Sequence, residues 1–171
     1  MFRIRPEQHS DAEAIHALNE AAFGRSAEAE LVNRLREEAR PLVSLVADDG
    51  GAIVGHILFS PVDLSDQPDL MLMGLGPMAV KPERQGRGIG SELVLLGLDA
   101  CQRLGCQAVF VLGHPTFYRR FGFRPASQFG ITSECEDAGD AFMALEIERG
   151  ILEGRSGTVR YDPVFSVTAE E

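Results

Sequence analysis

The sequence has a single lysine, Lys81, among its 16 basic side chains. A phosphate loop of the G-x-x-x-x-G-K-[ST] kind is excluded, since no lysine follows a suitable pair of glycines. Cysteine is scarce too. Cys101, Cys106 and Cys135 are an odd set with neither C-x-x-C nor zinc spacing, so they read as reduced thiols. The four histidines, His9, His16, His56 and His114, form no H-E-x-x-H pattern, and no metal is expected. No run reaches the roughly 18 apolar residues of a membrane helix. Residues 1–7 lack the apolar segment of a secretory signal. These absences predict a cytoplasmic protein with no membrane partner. Positive charge is in deficit: 26 acidic side chains against 16 basic ones leave a net charge of −10. Such a field repels nucleic acid, which is not expected as a partner.

What is present suits one globular domain. The chain has 171 residues, 44% hydrophobic and 25% charged, without internal repeat or linker. Residues 2–5 alternate and stop at Pro6, as a short strand does. Ser10-Asp11-Ala12-Glu13 is a capping-box sequence, and Ile15, Leu18 and Ala22 follow at helical spacing. Ser26 is placed to cap a second helix with Ala27, Leu31 and Leu35 on one face. Apolar runs at 42–47 and 52–62 flank Asp48-Asp49-Gly50-Gly51 and predict a hairpin. A polar loop is expected at 64–69, then a strand at 70–80 interrupted by Gly74, Gly76 and Pro77. Ile89, Leu93, Leu96, Ala100 and Leu104 define one face of a long helix that Gly105 would end. Further strands are expected at 107–112, 142–147 and 158–161, with a helical turn or two at 116–121. Helices, then an antiparallel meander, then a strand–turn–helix–strand crossover predict an α/β (α+β) fold with one mixed, mostly antiparallel sheet.

The strand ending at Val80 and the long helix are joined by Lys81-Pro82-Glu83-Arg84-Gln85-Gly86-Arg87-Gly88-Ile89-Gly90-Ser91. Glycine permits positive φ and close approach of a ligand to the backbone. The first turn of the helix offers unpaired N–H groups to an anion, aided by the helix dipole. A diphosphate fits such a turn, and Lys81, Arg84 and Arg87 form a cationic patch opposed only by Glu83. An ordinary glycine-rich turn accounts for the same residues. The dinucleotide fingerprint G-x-G-x-x-G is excluded, because Ser91 stands where its third glycine belongs.

What these residues do match is Q-x-x-G-x-G, as Gln85, Gly88 and Gly90, preceded by Val80-Lys81-Pro82. This resembles the acetyl-CoA pyrophosphate signature of the GNAT N-acetyltransferase superfamily. Phe117-Tyr118-Arg119-Arg120-Phe121-Gly122-Phe123 resembles that superfamily's late F-Y-x-x-x-G-F element. Val54-Gly55-His56-Ile57-Leu58-Phe59-Ser60 and Leu75-Gly76-Pro77-Met78-Ala79-Val80 resemble its third and fourth strands. Gly157-Thr158-Val159-Arg160-Tyr161 is similar to an extension in the bacterial YhbS-like group of uncharacterised predicted acetyltransferases. The resemblance implies an N-acetyltransferase domain at 1–150 and a C-terminal extension at 151–171 packed on it. It also implies that a bulge at Gly76-Pro77 splays strands four and five, so that pantetheine pairs with backbone groups of Met78, Ala79 and Val80.

By the same resemblance, the chain transfers an acetyl group from acetyl-CoA, its co-substrate, to a primary amine by direct attack. Gln85, Gly86, Arg87, Gly88, Ile89, Gly90 and Ser91 would hold the pyrophosphate. Tyr118 would protonate the departing thiolate, a phenol with pKa near 10 being protonated at neutral pH. Many superfamily members carry a glutamate on strand four as base. Residues 70–76 have none, which leaves His114, ranked above His56, and an ordered-water relay. Two other readings stay open: a non-catalytic acyl-CoA-binding or regulatory module of the same fold, and a protein or aminoacyl-tRNA acyltransferase. The expected acceptor is a small-molecule amine or a basic peptide, drawn by Glu134, Glu136, Asp137 and Asp140. Monomer and homodimer are both open.

Overall fold

The computed structural model describes residues 1–135, 138–163 and 165. Strands β1 (Arg3–Pro6), β2 (Val43–Asp49), β3 (Ala52–Leu64) and β4 (Leu72–Val80) form an antiparallel series. β5 (Ala108–Leu112) lies parallel to β4. The sheet continues through short strands β6 (Arg124–Pro125) and β7 (Ile131–Ser133), with β8 (Phe142–Glu146) and β9 (Gly157–Arg160). The main order is β1-β2-β3-β4-β5-β8-β6, and β9 joins the far end of β3 to β7. This is the mixed, mostly antiparallel sheet expected from the sequence.

Alternation along β3 assigns the two faces. Gly55 and Phe59 meet the helix α3 (Ile89–Arg103). Leu58 points the other way and packs with Ile15 of α1 (Ala12–Phe23) and Leu31, Val32 and Leu35 of α2 (Ala27–Glu38). A Cβ added to Gly97 of α3 would lie 2.3 Å from the Phe59 ring, and one added to Gly55 would lie 2.8 Å from Ile89 Cγ2. Burying a phenylalanine contributes about 1.5–3 kcal/mol, so this contact sets how α3 sits on the sheet. The buried face of α3 is accordingly Ile89, Leu93, Val94, Gly97 and Cys101. The expected face was rotated, for Leu96 and Leu104 are 45% and 47% exposed. Hydrophobic periodicity scores leucine above glycine, yet the residue without a side chain receives the aromatic ring.

Several boundaries differ from the sequence expectation. A 3₁₀ turn, His9–Asp11, precedes α1, and Asp11 rather than Ser10 serves as its polar anchor. Its carboxylate accepts the Gln8 N–H at 2.7 Å and two bonds from Arg5, at 2.7 and 3.1 Å. Charge-assisted bonds outweigh what a serine hydroxyl offers there. The polar loop starts after Leu64 because β9 pairs with Asp63 and Leu64 and extends β3. β4 begins at Leu72, and residues 115–121 form α4 (Pro115–Tyr118) followed by a 3₁₀ turn, Arg119–Phe121.

The bulge lies where the proline predicted it. Ile57 faces Met78 and Phe59 faces Leu75, so one residue of β3 spans Gly76 and Pro77 of β4. Pairing of β4 with β5 ends at Leu75 and Val111, one residue earlier. Beyond that point the two strands part.

Candidate functional site at the open end of the sheet

Past the bulge, Met78, Ala79 and Val80 pair only with β3. The Lys81 N–H bonds to the Val54 carbonyl at 2.9 Å. Backbone polar groups alternate sides along a strand. Ala79 therefore shares the direction of Lys81, toward β3, whereas Met78 and Val80 turn their groups into the gap. The Val80 carbonyl is already taken, by Gln85 Nε2 at 3.1 Å. That bond folds the turn back against the end of β4.

The turn is pinned by one distant ion pair and one local one. Arg84 pairs with Asp49 of β2 at 2.7 Å, and Lys81 with Glu83 at 3.5 Å. Of the cationic patch read from the sequence, only Arg87 forms no ion pair among the described residues. Gly86 and Gly88 have φ of +77° and +86°, and an added Cβ would meet nothing within 4 Å at either. Backbone conformation calls for glycine here and leaves the space above the turn open. Gly88 caps α3, and the Glu92 N–H bonds to its carbonyl at 3.1 Å. The N–H groups of Ile89, Gly90 and Ser91 therefore have no intrahelical partner. Ile89 is buried and fixes the helix start, while Gly90 and Ser91 stay partly open. A Cβ on Gly90 would stand 3.7 Å from Met78 Cε and Phe117 Cζ and 3.8 Å from Val80 Cγ2. These side chains make an apolar mouth beside the polar turn.

Arg120 joins this corner, and sequence reasoning had not selected it. Its guanidinium donates to Ser91 Oγ at 3.3 Å and lies 5.5 and 5.6 Å from the Phe117 and Phe121 ring centres. A cation beside a helix N-terminus opposes the helix dipole, so an anion is the missing charge there. Both features favour a phosphate-bearing ligand.

Tyr118 is buried on the β5 side of the gap. Phe117 and Phe123 meet its ring edge-on, at 5.0 and 5.6 Å. Burial pushes its phenol up to about 12. His114 sits on the exposed N-cap of α4, and its carbonyl accepts the Phe117 and Tyr118 N–H groups at 3.1 and 3.2 Å. His56 lies opposite Ala79, fully buried, with Ser44 Oγ 2.9 Å from Nε2 and, among the described residues, no partner for Nδ1. Burial lowers its pKa to about 4, so it is neutral at pH 7. An open groove of about 760 Å³ lies elsewhere, between α1 and α2, and none of these residues lines it. Among the described residues no cluster of three or more His, Cys, Asp or Glu could hold a metal, and no helix is long and apolar enough to cross a membrane.

The sequence model of the Acetyltransferase (GNAT) family matches residues 11–123. The chain belongs to this family. It is 38% identical over 164 residues to the uncharacterized N-acetyltransferase YhbS of Escherichia coli K12, covering 95% of this chain and 98% of YhbS. The uncharacterized N-acetyltransferase YjhQ of the same strain is 47% identical over 129 residues, 74% of this GNAT chain and 71% of YjhQ. The crystal structure of E. coli YhbS in complex with CoA superposes with a TM-score of 0.91 at 36% identity, over 96% of this chain and 92% of the other. A GNAT acetyltransferase from Brucella melitensis, in complex with acetyl-CoA, gives 0.78 at 33% identity, over 96% and 98% of the two chains.

Proposed function

We propose that this GNAT protein transfers an acetyl group from acetyl-CoA to a primary amine by direct attack. One observation carries the reading: the N–H groups of Ile89, Gly90 and Ser91 have no intrahelical partner, and the turn that leads into them, at Gly86 and Gly88, has open space above it beside the β4–β5 gap. Those groups, with the turn Gln85-Gly86-Arg87-Gly88, suit a diphosphate. Met78 and Val80 offer backbone groups to pantetheine, and Ala79 holds their strand to β3. An N–H of this strand end would polarise the thioester carbonyl as the negative charge develops. The similarity to YhbS, solved with CoA, and to the Brucella protein, solved with acetyl-CoA, supports the same donor here.

The chemistry needs three proton and charge transfers. The amine nitrogen bonds to the carbonyl carbon and the carbon–sulfur bond breaks. Tyr118 gives its proton to the thiolate; burial keeps the phenol protonated at neutral pH. His114, exposed at the end of β5, takes the surplus proton of the amine, directly or through water. The buried, neutral His56 is the poorer base.

The acceptor is a cationic amine or a basic peptide. Residues 81–90 carry +2, so the rest of the chain carries −12. Glu134 and Asp140 are exposed, and Glu134 Oε1 accepts the Tyr161 N–H at 3.0 Å; Glu136 and Asp137 lie outside the described residues. The testing experiment measures release of free CoA from acetyl-CoA across polyamines, basic peptides, neutral amines and amino acids. Release with cationic acceptors, weaker at high salt, is expected. No release with any acceptor would leave a binding module instead.

A further inference from the structure

We propose that Gly113 is a positioning residue for Tyr118, its bare Cα being the floor on which the phenol ring rests. The inference deepens the reading of Tyr118 as proton donor and rests on it. A Cβ built on Gly113 would lie 2.5 Å from Tyr118 Cε2, 3.2 Å from Cδ2 and 3.5 Å from Cζ. Gly113 does not have a positive φ, so space rather than backbone conformation excludes a side chain.

Neither partner is free to yield. The Gly113 N–H bonds to the Ala141 carbonyl at 3.1 Å, and the preceding residue, Leu112, pairs with Phe142 of β8. The ring is flanked by Phe117 at 5.0 Å and 84° and by Phe123 at 5.6 Å and 72°. Phe123 is itself fully buried. The Tyr118 backbone is tied to the His114 carbonyl, one residue from Gly113. A methyl group at position 113 would drive the ring off its floor by roughly 1 Å, a misplacement that can cost about 10²-fold in rate. Other residues at 113 would keep the fold class but move the hydroxyl.

The composition supplies a clean probe: the chain has no tryptophan and two tyrosines, Tyr118 and Tyr161. In a Tyr161→Phe protein the ultraviolet tyrosinate signal belongs to Tyr118 alone. That phenol should remain protonated up to about pH 11, and adding Gly113→Ala should move its ionisation toward the ordinary value near 10. With the best acceptor from the amine panel, Gly113→Ala should lower kcat about 10²-fold and leave the acetyl-CoA KM within about twofold. In a Tyr118→Phe background it should cost nothing further.

An unchanged titration, or an equal kcat loss in both backgrounds, would overturn the positioning role. Wild-type kcat in Tyr118→Phe would instead overturn the proton-donor reading, and this inference with it. Circular dichroism and the acetyl-CoA melting shift verify folding. If Gly113→Ala does not fold, Gly113→Ala with Phe123→Leu gives the ring room to retreat and carries the same readouts, with Phe123→Leu alone as control.

Discussion

Glycine serves two opposite purposes in two regions of this molecule. At the open end, Gly86 and Gly88 have positive φ, and an added side chain would meet nothing. Along the seam between α3 and the sheet, Gly55 and Gly97 lack positive φ, and a Cβ would collide at 2.8 and 2.3 Å. The first pair bends backbone toward space that the protein leaves empty. The second pair lets two elements touch. An empty approach suits a ligand, and a filled one serves the fold. The same contrast holds for charge: Arg87 and Arg120 stand at the open end, while His56 is sealed beneath the helices without a charge.

The largest effect expected on ligand binding, its complete loss, is at Gly88. Valine there takes a left-handed φ at a cost of about 1–2 kcal/mol, which the fold should survive. Its side chain would fill the space above the helix N-terminus. Wild type should gain about 2.7 kcal/mol of stability at acetyl-CoA concentrations near 100 Kd. Folded Gly88→Val should gain none, and an equal melting shift would make the open end irrelevant to binding.

Next comes acid. The pKa of His56 is about 4 in the folded protein, lowered by burial and further by Arg36, with Glu7 opposing. The unfolded chain takes up a proton near the ordinary value of about 6.5, so stability is complete above that pH and is lost as pH falls toward 4. The loss should be about 3 kcal/mol. Denaturant titrations of wild type and His56→Gln should show a shallower fall for the variant between pH 6.5 and 4; parallel curves would remove His56 as the cause.

Gly97→Ala tests the seam. Overpacking against Phe59 should cost about 1–3 kcal/mol in urea unfolding and leave acetyl-CoA affinity near wild type. A stabilised variant would mean that helix propensity outweighs the collision, and the seam would no longer contrast with the turn. The smallest effect is expected for Arg120→Ala, a several-fold rise in the Kd of acetyl-CoA that shrinks as salt increases. S-acetylpantetheine, which has no phosphates, should bind both proteins alike. A matching rise for that analogue would show that Arg120 acts through packing on Phe117.

Much of the candidate site was legible because its causes are local. The residue types in 85–91, the proline at 77 and the aromatic run 117–123 each state their requirement within a few neighbours. The shape of the sheet was legible from alternation and from the order of elements. Where the expectation failed, a side-chain partner outside the local motif decided, in two cases far along the chain. Arg84 looked available to a phosphate until Asp49, 35 residues away, took it. Arg120 had no assigned role until the fold set it beside Ser91, 29 residues away. Ser10 looked like the helix cap until Arg5 and Asp11 met.

The sequence by itself determined the order of the longer strands and the helices, the bulge in β4, the glycine turn before α3 and membership of the GNAT family, but not the short strands β6 and β7. These depend on backbone φ, on missing N–H groups and on hydrophobic period, which are properties of short segments. Tertiary structure alone decided which face of α3 is buried, which of Met78, Ala79 and Val80 open to the gap, which cations remain unpaired and what lies under Tyr118. Each is a side-chain or backbone contact that exists only once the chain is packed, and most join segments distant in sequence. Several turn on glycine, whose contribution is the volume it does not occupy, and that volume has meaning only once a neighbour fills it.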